Sequence, residues 1–415
     1  LGLNRQSDTL KVFANLHHRD AVTDLATVFI DRCRMYAVPS GSLALVVPQY
    51  WLFLGSYTKL RKRFLRDQTW NHAARLGTSA FDTIGGAIVN VALLVLTVEQ
   101  PQGNNVVTGL DCSEAKTATE KALQLRMSQM QTFSQISQLL NPDGRITFSD
   151  SNRSVPMLAE FTRILQGVGT TDTPRYVVRF WEVSQIGDTW TLYQLAPDGR
   201  EFSGYTALLR WENGKGELAQ IGTAHKGKQA VGERGFAIAV TQTPKVAAFL
   251  GTRFDCTMAA LLVKNPDHYP AIRSFLLSDA FPREVRRVDQ ALSITESSFI
   301  KVPFDLIHWQ DIANAAGPPP EPYSNDPTQW LFTGHPVGAT EPLQVAVARL
   351  LGYRWPGQVE GDRLKVEGHA GDGLEAFADA DGIVCLPAVA GEAPAAERLR
   401  GLLAAAYGDA WSAAE

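Results

Sequence analysis

Hydrophobic positions in the first hundred residues switch repeatedly between two periods. Residues 24–36 carry Leu25, Val28, Phe29 and Cys33 on one helical stripe. Pro39-Ser40-Gly41 stops that helix. Residues 43–47 form an uninterrupted apolar run, the pattern of a strand buried on both faces. Pro48 ends it, because proline has no N–H to give to a ladder. Ser56 is placed to cap a basic helix over 57–65. A short strand follows at 75–77, and 88–98 reads as a second long buried strand. Helix, strand, helix, strand is α/β layering.

Beyond a polar break at 100–105, residues 113–140 read as helical, with Leu123, Met127, Met130 and Phe133 on repeating turns. The methionines fit core filler or a face for a partner helix better than a cofactor site. Pro142-Asp143-Gly144 marks a turn. Strands are expected at 176–183, 190–195, 207–211 and 230–240, with turns at Gly199 and Asn213-Gly214. Helices are expected at 268–277, 282–292, 345–351 and 393–407. The proline run Pro318-Pro319-Pro320 predicts a stiff linker that spaces segments rather than packing. This organisation gives four segments: 1–110, a helical connector 111–150, a mixed α and β domain 151–309, and a linker with an acidic terminal segment 310–415.

The chain has 415 residues, enough for two or three domains. No apolar run approaches the roughly 18–20 residues of a membrane-spanning helix. Cys33, Cys112, Cys256 and Cys385 lie far apart and form no metal-ligand spacing, which points to a reducing, cytoplasmic setting and no metal site. The net charge of −4 is unevenly distributed. Residues 310–415 hold 15 acidic and 6 basic side chains, leaving 33 basic and 28 acidic before them. Lys59, Arg61, Lys62, Arg63 and Arg66 form the densest basic cluster. An acidic terminal section thus masks a mildly basic body.

No motif names a chemistry unaided. Neither a G-x-G-x-x-G nor a P-loop is present. His17-His18 near Asp20 reads as surface rather than metal ligands. Ser40, Ser42 and Ser56 lack a nucleophile-elbow context. Gly85-Gly86 reads as a tight turn.

DLATVFIDRC followed by GSLALVVPQYWLFLGSYTKLRKRFL resembles the later motifs of N6-adenine DNA methyltransferases, in particular the large restriction-modification and phage-defence enzymes. RLGTSAFDTIGGAIVNVALLVL is similar to that family's last strands, and GVGTTDTPRYVVRFWEV and SITESSFIKVPFDL to parts of its target-recognition domain. LQVAVARLLGYRWP and DGIVCLPAV resemble the family's terminal segment. The resemblance implies the C-terminal half of a Rossmann-like methyltransferase domain, then a mixed α+β recognition domain and a small helical or irregular tail. The family's glycine-rich donor loop and Asn-Pro-Pro-Tyr motif lie upstream of the segment matching Asp24, and neither is found here. The chain opens at Leu1, and its first methionine is Met35, so it reads as a fragment lacking those motifs.

What the resemblance implies chemically is methyl transfer from S-adenosylmethionine to the N6 amine of a flipped adenine in double-stranded DNA. No catalytic residue would be present, and the fragment alone would be inactive without the N-terminal part of the same protein. Phe81 matches the aromatic residue that stacks on the flipped base, unless it packs beneath a loop. Asp24 and Phe29 match a motif that lines the donor pocket, and Pro48 ends its strand at the edge where α/β folds bind ligands, so the three are the expected cofactor contacts. Asp24 equally suits a helix N-cap and Phe29 the core stripe. Lys59, Arg61, Lys62, Arg175, Arg179 and Lys301 are the expected DNA contacts. Arg175 and Arg179 would share one face if their strand is unbroken. Between Arg163 and Arg253, 11 basic and 8 acidic residues interleave with Trp181, Trp190, Tyr193, Tyr205 and Trp211, a mixture suited to bases and phosphates or to a small solvated core. A non-catalytic DNA-specificity module and an unrelated α/β protein are the alternatives.

Overall fold

Asp24 sets the first long helix: its carboxylate accepts from the Ala26 N–H at 2.8 Å, satisfying a donor that the first turn leaves free. The computed structural model of the chain describes residues 1–82, 89–148, 155–289, 293–359, 372–389 and 391–412. They form two units, Leu1–Leu158 with Asp279–Asp305 and Ala159–Ser278 with Leu306–Glu415. These limits cut the chain at other points than the four segments read from sequence.

In the first unit, α1 (Asp8–His17) and α2 (Leu25–Tyr36) precede β1 (Ser42–Pro48). Then come α3 (Thr58–Asp67), β2 (Thr69–Gly77), β3 (Val91–Thr97) and β4 (Val106–Asp111). They are followed by α4 (Ala118–Met127), β5 (Gln131–Ser134) and α5 (Gln135–Leu140). The sheet order is β1-β3-β2-β4-β5. Only the β2–β4 pair is parallel. β3, paired on both sides, is the long buried strand the pattern predicts, although Ile88 lies outside the described residues.

Three expectations are corrected here. β1 is not buried on both faces: Leu45 and Val47 pack inward, while Ala44 and Val46 face solvent. It pairs with β3 on one side and packs on α2, so only one face is covered. β2 is a nine-residue strand rather than a three-residue remnant, with bulges at Trp70/His72 and Arg75/Gly77. The second bulge ends at Gly77, where φ is +68° and an added Cβ would lie 3.0 Å from Ser113 Cα. The helix expected over 113–140 is interrupted by β5, which pairs with β4. Met127 and Met130 are exposed, so of the two readings core filler falls and a face for a partner helix stays open.

Trp51, Phe64 and Trp70 form the centre of the first unit's core, with ring centroids 5.7–5.8 Å apart from Trp51. Burying each large side chain contributes about 1.5–3 kcal/mol.

The second unit holds two four-stranded sheets. One orders β11 (Val246–Phe249), β10 (Gly235–Ala239), β13 (Met258–Val263) and β6 (Thr162–Gln166), all antiparallel. The other orders β12 (Arg253–Phe254), β8 (Trp190–Gln194), β9 (Ala207–Arg210) and β7 (Val177–Arg179). The segment after the proline run packs. Trp330, Leu331, Phe332, Val345 and Trp355 enter one core with Phe180, Leu192, Tyr205 and Leu208. Trp330 N donates to Tyr205 O at 2.6 Å, and Tyr205 N donates to the Gln329 side chain at 2.8 Å. Those aromatic anchors make the segment part of the fold. No described helix is long and apolar enough to cross a membrane.

Candidate functional site

The N-terminus of α2 and the end of β1 meet. Asp24, Pro48, Tyr50, Trp51 and Tyr57 line one small cleft, with Ala26, Thr27 and Ile30 behind them. Two short 3-10 turns, Gln49–Leu52 and Gly55–Tyr57, carry the aromatic residues to it. Burial pushes the Tyr57 phenol up to about 12, and the neighbouring Asp24 and Tyr50 add to this. It therefore stays a proton donor at neutral pH. Trp51 Nε1 is buried with no hydrogen-bond partner among the described residues. Asp24 and Pro48 thus line the same cleft. Phe29 is not: it is 60% exposed, neither core nor cleft lining, while Val28 and Ile30 beside it are buried. The cleft measures about 10 Å³, room for about one water. The described residues therefore do not fit S-adenosylmethionine in this cleft.

On α3, the basic residues divide by burial. Lys59, Lys62, Arg63 and Arg66 line a shallow depression of about 560 Å³ with Asp20 and Asp67. Lys59, Lys62 and Arg66 have no ion-pair partner among the described residues. Arg61 is wholly buried, which corrects its assignment as a DNA contact. Its guanidinium donates to the carbonyls of Trp51, Leu54, Asp143 and Gly144. Burial, with the nearby Arg145 charge, lowers it to about 9, and Asp143 opposes that shift. Its partners come from distant segments, so nothing in the local sequence distinguishes it from its basic neighbours.

His18 is buried too, contrary to its surface reading. Its Nδ1 lies 2.8 Å from Asp31, which also accepts from Arg63 at 3.0 Å and Arg34 at 3.4 Å. Burial raises the Asp31 carboxyl, but the hydrogen bonds from Arg63 and His18 outweigh it and hold it below the usual range. No group of side chains suited to a metal ion occurs among the described residues.

Lys301 joins this unit from far along the chain. It donates to the Asp143 carboxylate, which also accepts from Arg145 at 3.4 Å. Asp143 sits at φ +59° in the turn that the sequence marks. An added Cβ at the following Gly144 would meet Lys62 Cγ at 2.9 Å. Lys62 and Lys301, separate in sequence, therefore flank one turn. Phe81 follows β2 in an irregular segment and is 44% exposed, so it is not a core residue. Gly85-Gly86 lies outside the described residues.

In the second unit the strand expected over 176–183 breaks into a one-turn helix (Thr173–Tyr176), β7 and a 3-10 turn (Phe180–Glu182). Pro174 favours the helical turn, and Glu182 reaches back to the Arg179 N–H at 2.8 Å to close the second. Arg175 and Arg179 therefore do not share one strand face. Arg175 pairs with Glu217, and Arg179 donates to Thr206 Oγ1; both are exposed. Of the five interleaved aromatics, Tyr193 and Tyr205 are fully buried and only Trp181 is exposed. Sequence reasoning missed Arg253, whose guanidinium lies 3.4 Å from the Trp211 ring centroid. Burial lowers it to about 10.

No protein-family model matches the chain. An adenine-specific methyltransferase PglX of Lacticaseibacillus casei (strain Zhang) is 30% identical over 105 residues, 25% of this chain and 8% of its own length. An adenine-specific methyltransferase BrxX of Escherichia coli O9:H4 (strain HS) is 32% identical over 96 residues, 23% of this chain and again 8% of its own. Over those stretches the chain is a partial homologue of adenine-specific methyltransferases. Among solved structures, the Type IIL restriction-modification enzyme MmeI in complex with DNA is 11% identical, with a TM-score of 0.43 over 100% of this chain and 54% of its own. A nuclease-deletion mutant of the Type ISP enzyme LlaGI with a DNA substrate mimic is also 11% identical, with a TM-score of 0.40 over 74% and 32%. Likenesses this slight settle neither fold nor function.

Proposed function

We propose that the chain is part of an adenine-specific DNA methyltransferase of the restriction-modification type, in which S-adenosylmethionine methylates N6 of adenine in duplex DNA. The observation that carries the reading is the 30% identity to PglX over 105 residues. In this reading the first unit supplies the base-side half of a Rossmann-like catalytic domain. Phe81 offers an exposed ring to an extrahelical base, since a base must leave the stack to be modified. Lys59, Lys62 and Lys301 take phosphates, while Arg175 and Arg179 of the second unit contribute to target recognition. Asp24 and Pro48 mark the edge of the donor side. The sites that hold the donor and the reacting amine are completed by further residues of the same protein, a view supported by the small share of the relatives' length that is matched and by a cleft of about 10 Å³.

The chain alone is expected to bind duplex DNA with steep salt dependence and to transfer no methyl group. Absent or salt-insensitive binding removes the reading, because phosphate contacts must weaken with salt. Turnover by the isolated chain removes its assignment as the base-side part. The cleft size fits equally a second reading, a non-catalytic DNA-specificity module working with a separate methylase chain. Phe81→Ala discriminates the two: it slows methylation in the complete assembly only if Phe81 touches the reacting base.

A further inference from the structure

The second unit holds a cleft of about 960 Å³ that the methylation reading does not use. One wall is the segment after β7, where the 3-10 turn presents Trp181 and leads to Ser184 and Gln185. The other is the end of the helix Pro342–Leu350. Gly352, at φ +78°, donates to Arg349 O at 3.0 Å, and Tyr353 donates to Ala348 O at 2.9 Å. This left-handed cap turns the chain sharply and delivers Tyr353 and Arg354 to the cleft.

Both walls are rigidly backed. Phe180 and Trp355 are buried in one core. Trp181 lies edge-on to Phe180 at 4.9 Å and Tyr353 edge-on to Trp355 at 4.9 Å. Trp355 is itself fixed by its indole N–H donating to Pro327 O at 2.8 Å. Trp181 is nevertheless 46% exposed. Arg354 is exposed and has no ion-pair partner among the described residues. Glu182, the acid on the rim, accepts from the Arg179 backbone N–H.

An exposed indole, a phenol, a guanidinium without an ion-pair partner among the described residues and an amide side chain line one cavity of ligand size. Each matches one part of a nucleotide. Indole and phenol faces stack on a base, and a glutamine amide pairs with the donor-acceptor edge of adenine. A guanidinium takes phosphate oxygens in pairs. We propose that this cleft is a purine-nucleotide site, with Trp181 and Tyr353 against the base, Gln185 on its edge and Arg354 on the phosphate.

Calorimetric titration of the full chain with AMP, ATP, adenosine, inorganic phosphate and a short oligodeoxyadenylate tests it. AMP or ATP binds saturably, adenosine more weakly, and phosphate alone not at all. Trp181→Ala and Arg354→Ala each weaken binding at least about tenfold, as loss of one stacking or charged partner does. Arg354 is exposed, so Arg354→Ala leaves the melting temperature unchanged, and Trp181→Phe, which keeps an aromatic face, restores part of the affinity lost in Trp181→Ala; Lys59→Ala in the first unit leaves AMP affinity intact. Mononucleotide binding assigns a free nucleotide, and oligonucleotide binding that Trp181→Ala and Arg354→Ala both weaken, with no mononucleotide bound, assigns an unstacked nucleotide of a strand. Absence of both at millimolar concentration, or binding indifferent to both substitutions, overturns the site.

Discussion

Lys301 and Asp143 form an ion pair across 158 residues of sequence, and the Asp143 turn also carries two of the carbonyls that hold Arg61. Burial raises the Asp143 carboxyl, but its hydrogen bond with Lys301 and the charges of Lys301, Arg145 and Arg61 hold it below the usual carboxylate range. A depressed folded value means stabilisation that is complete above the unfolded value near pH 4 and is lost as pH falls through the folded one. Asp143→Asn should therefore lower stability by about 1 kcal/mol at pH 7, with the gap to the parent closing in acid. Thermal melts of both proteins across pH check this; a gap that persists below about pH 2 contradicts it.

Arg61 and its neighbours on α3 should separate cleanly by assay. Arg61→Met leaves buried carbonyls without donors and should cost about 3 kcal/mol or more. Arg61→Lys should rescue little, since one ammonium cannot reproduce a planar fork spanning four carbonyls. Urea unfolding measures both.

Lys59→Ala and Lys62→Ala should leave stability nearly unchanged. Each should reduce the slope of log affinity against log salt for duplex DNA by about 1. Fluorescence anisotropy over a salt series provides the measurement, and an unaltered slope in the double variant would show that these cations face solvent only.

Phe81→Ala should slow methyl transfer by about tenfold to a hundredfold in the complete assembly, with duplex affinity little changed, as expected for one lost base stack. A 2-aminopurine at the target position should lose the fluorescence change that accompanies unstacking. An equal loss of affinity at every DNA sequence would instead place Phe81 among general contacts.

Trp330→Ala should destabilise the second unit by about 3–5 kcal/mol. Trp330 is fully buried, with its ring 4.7 Å from Tyr205. A chain ending at Gly317 should lose native near-ultraviolet circular dichroism from that unit, while a merely appended tail would leave the signal intact.

The legible elements were those whose pattern is local. Asp24 caps α2, and the apolar runs of β3 and β9 and the aromatic-aliphatic stretch of β8 give strands close to their expected bounds. What escaped depends on distant partners. β5 is polar and becomes a strand only by pairing with β4. Arg61 looks like Lys59 until the carbonyls of Asp143 and Gly144 close over it. Trp330 looks like part of a tail until Tyr205 receives it. Of the site, Asp24 and Pro48 line one cleft and Phe29 does not, and the cleft at Trp181 and Arg354 depends on a helix end more than 150 residues beyond its other wall.

The chain leaves the first unit after Leu158 and returns to it at Asp279. The return is zipped at its base: Leu158 N donates to Val302 O at 2.9 Å and Phe304 N to Pro156 O at 2.8 Å. Emerging from a ribosome, the first unit therefore waits for residue 305 before its last buried side chains, Phe299, Val302 and Phe304, are available. Its nascent form must stay soluble while most of the first part of the second unit is synthesised. A single protease cut cannot release either unit intact, and a circular permutant opened at the 156–158/302–304 neck should fold more slowly than one opened in a surface loop.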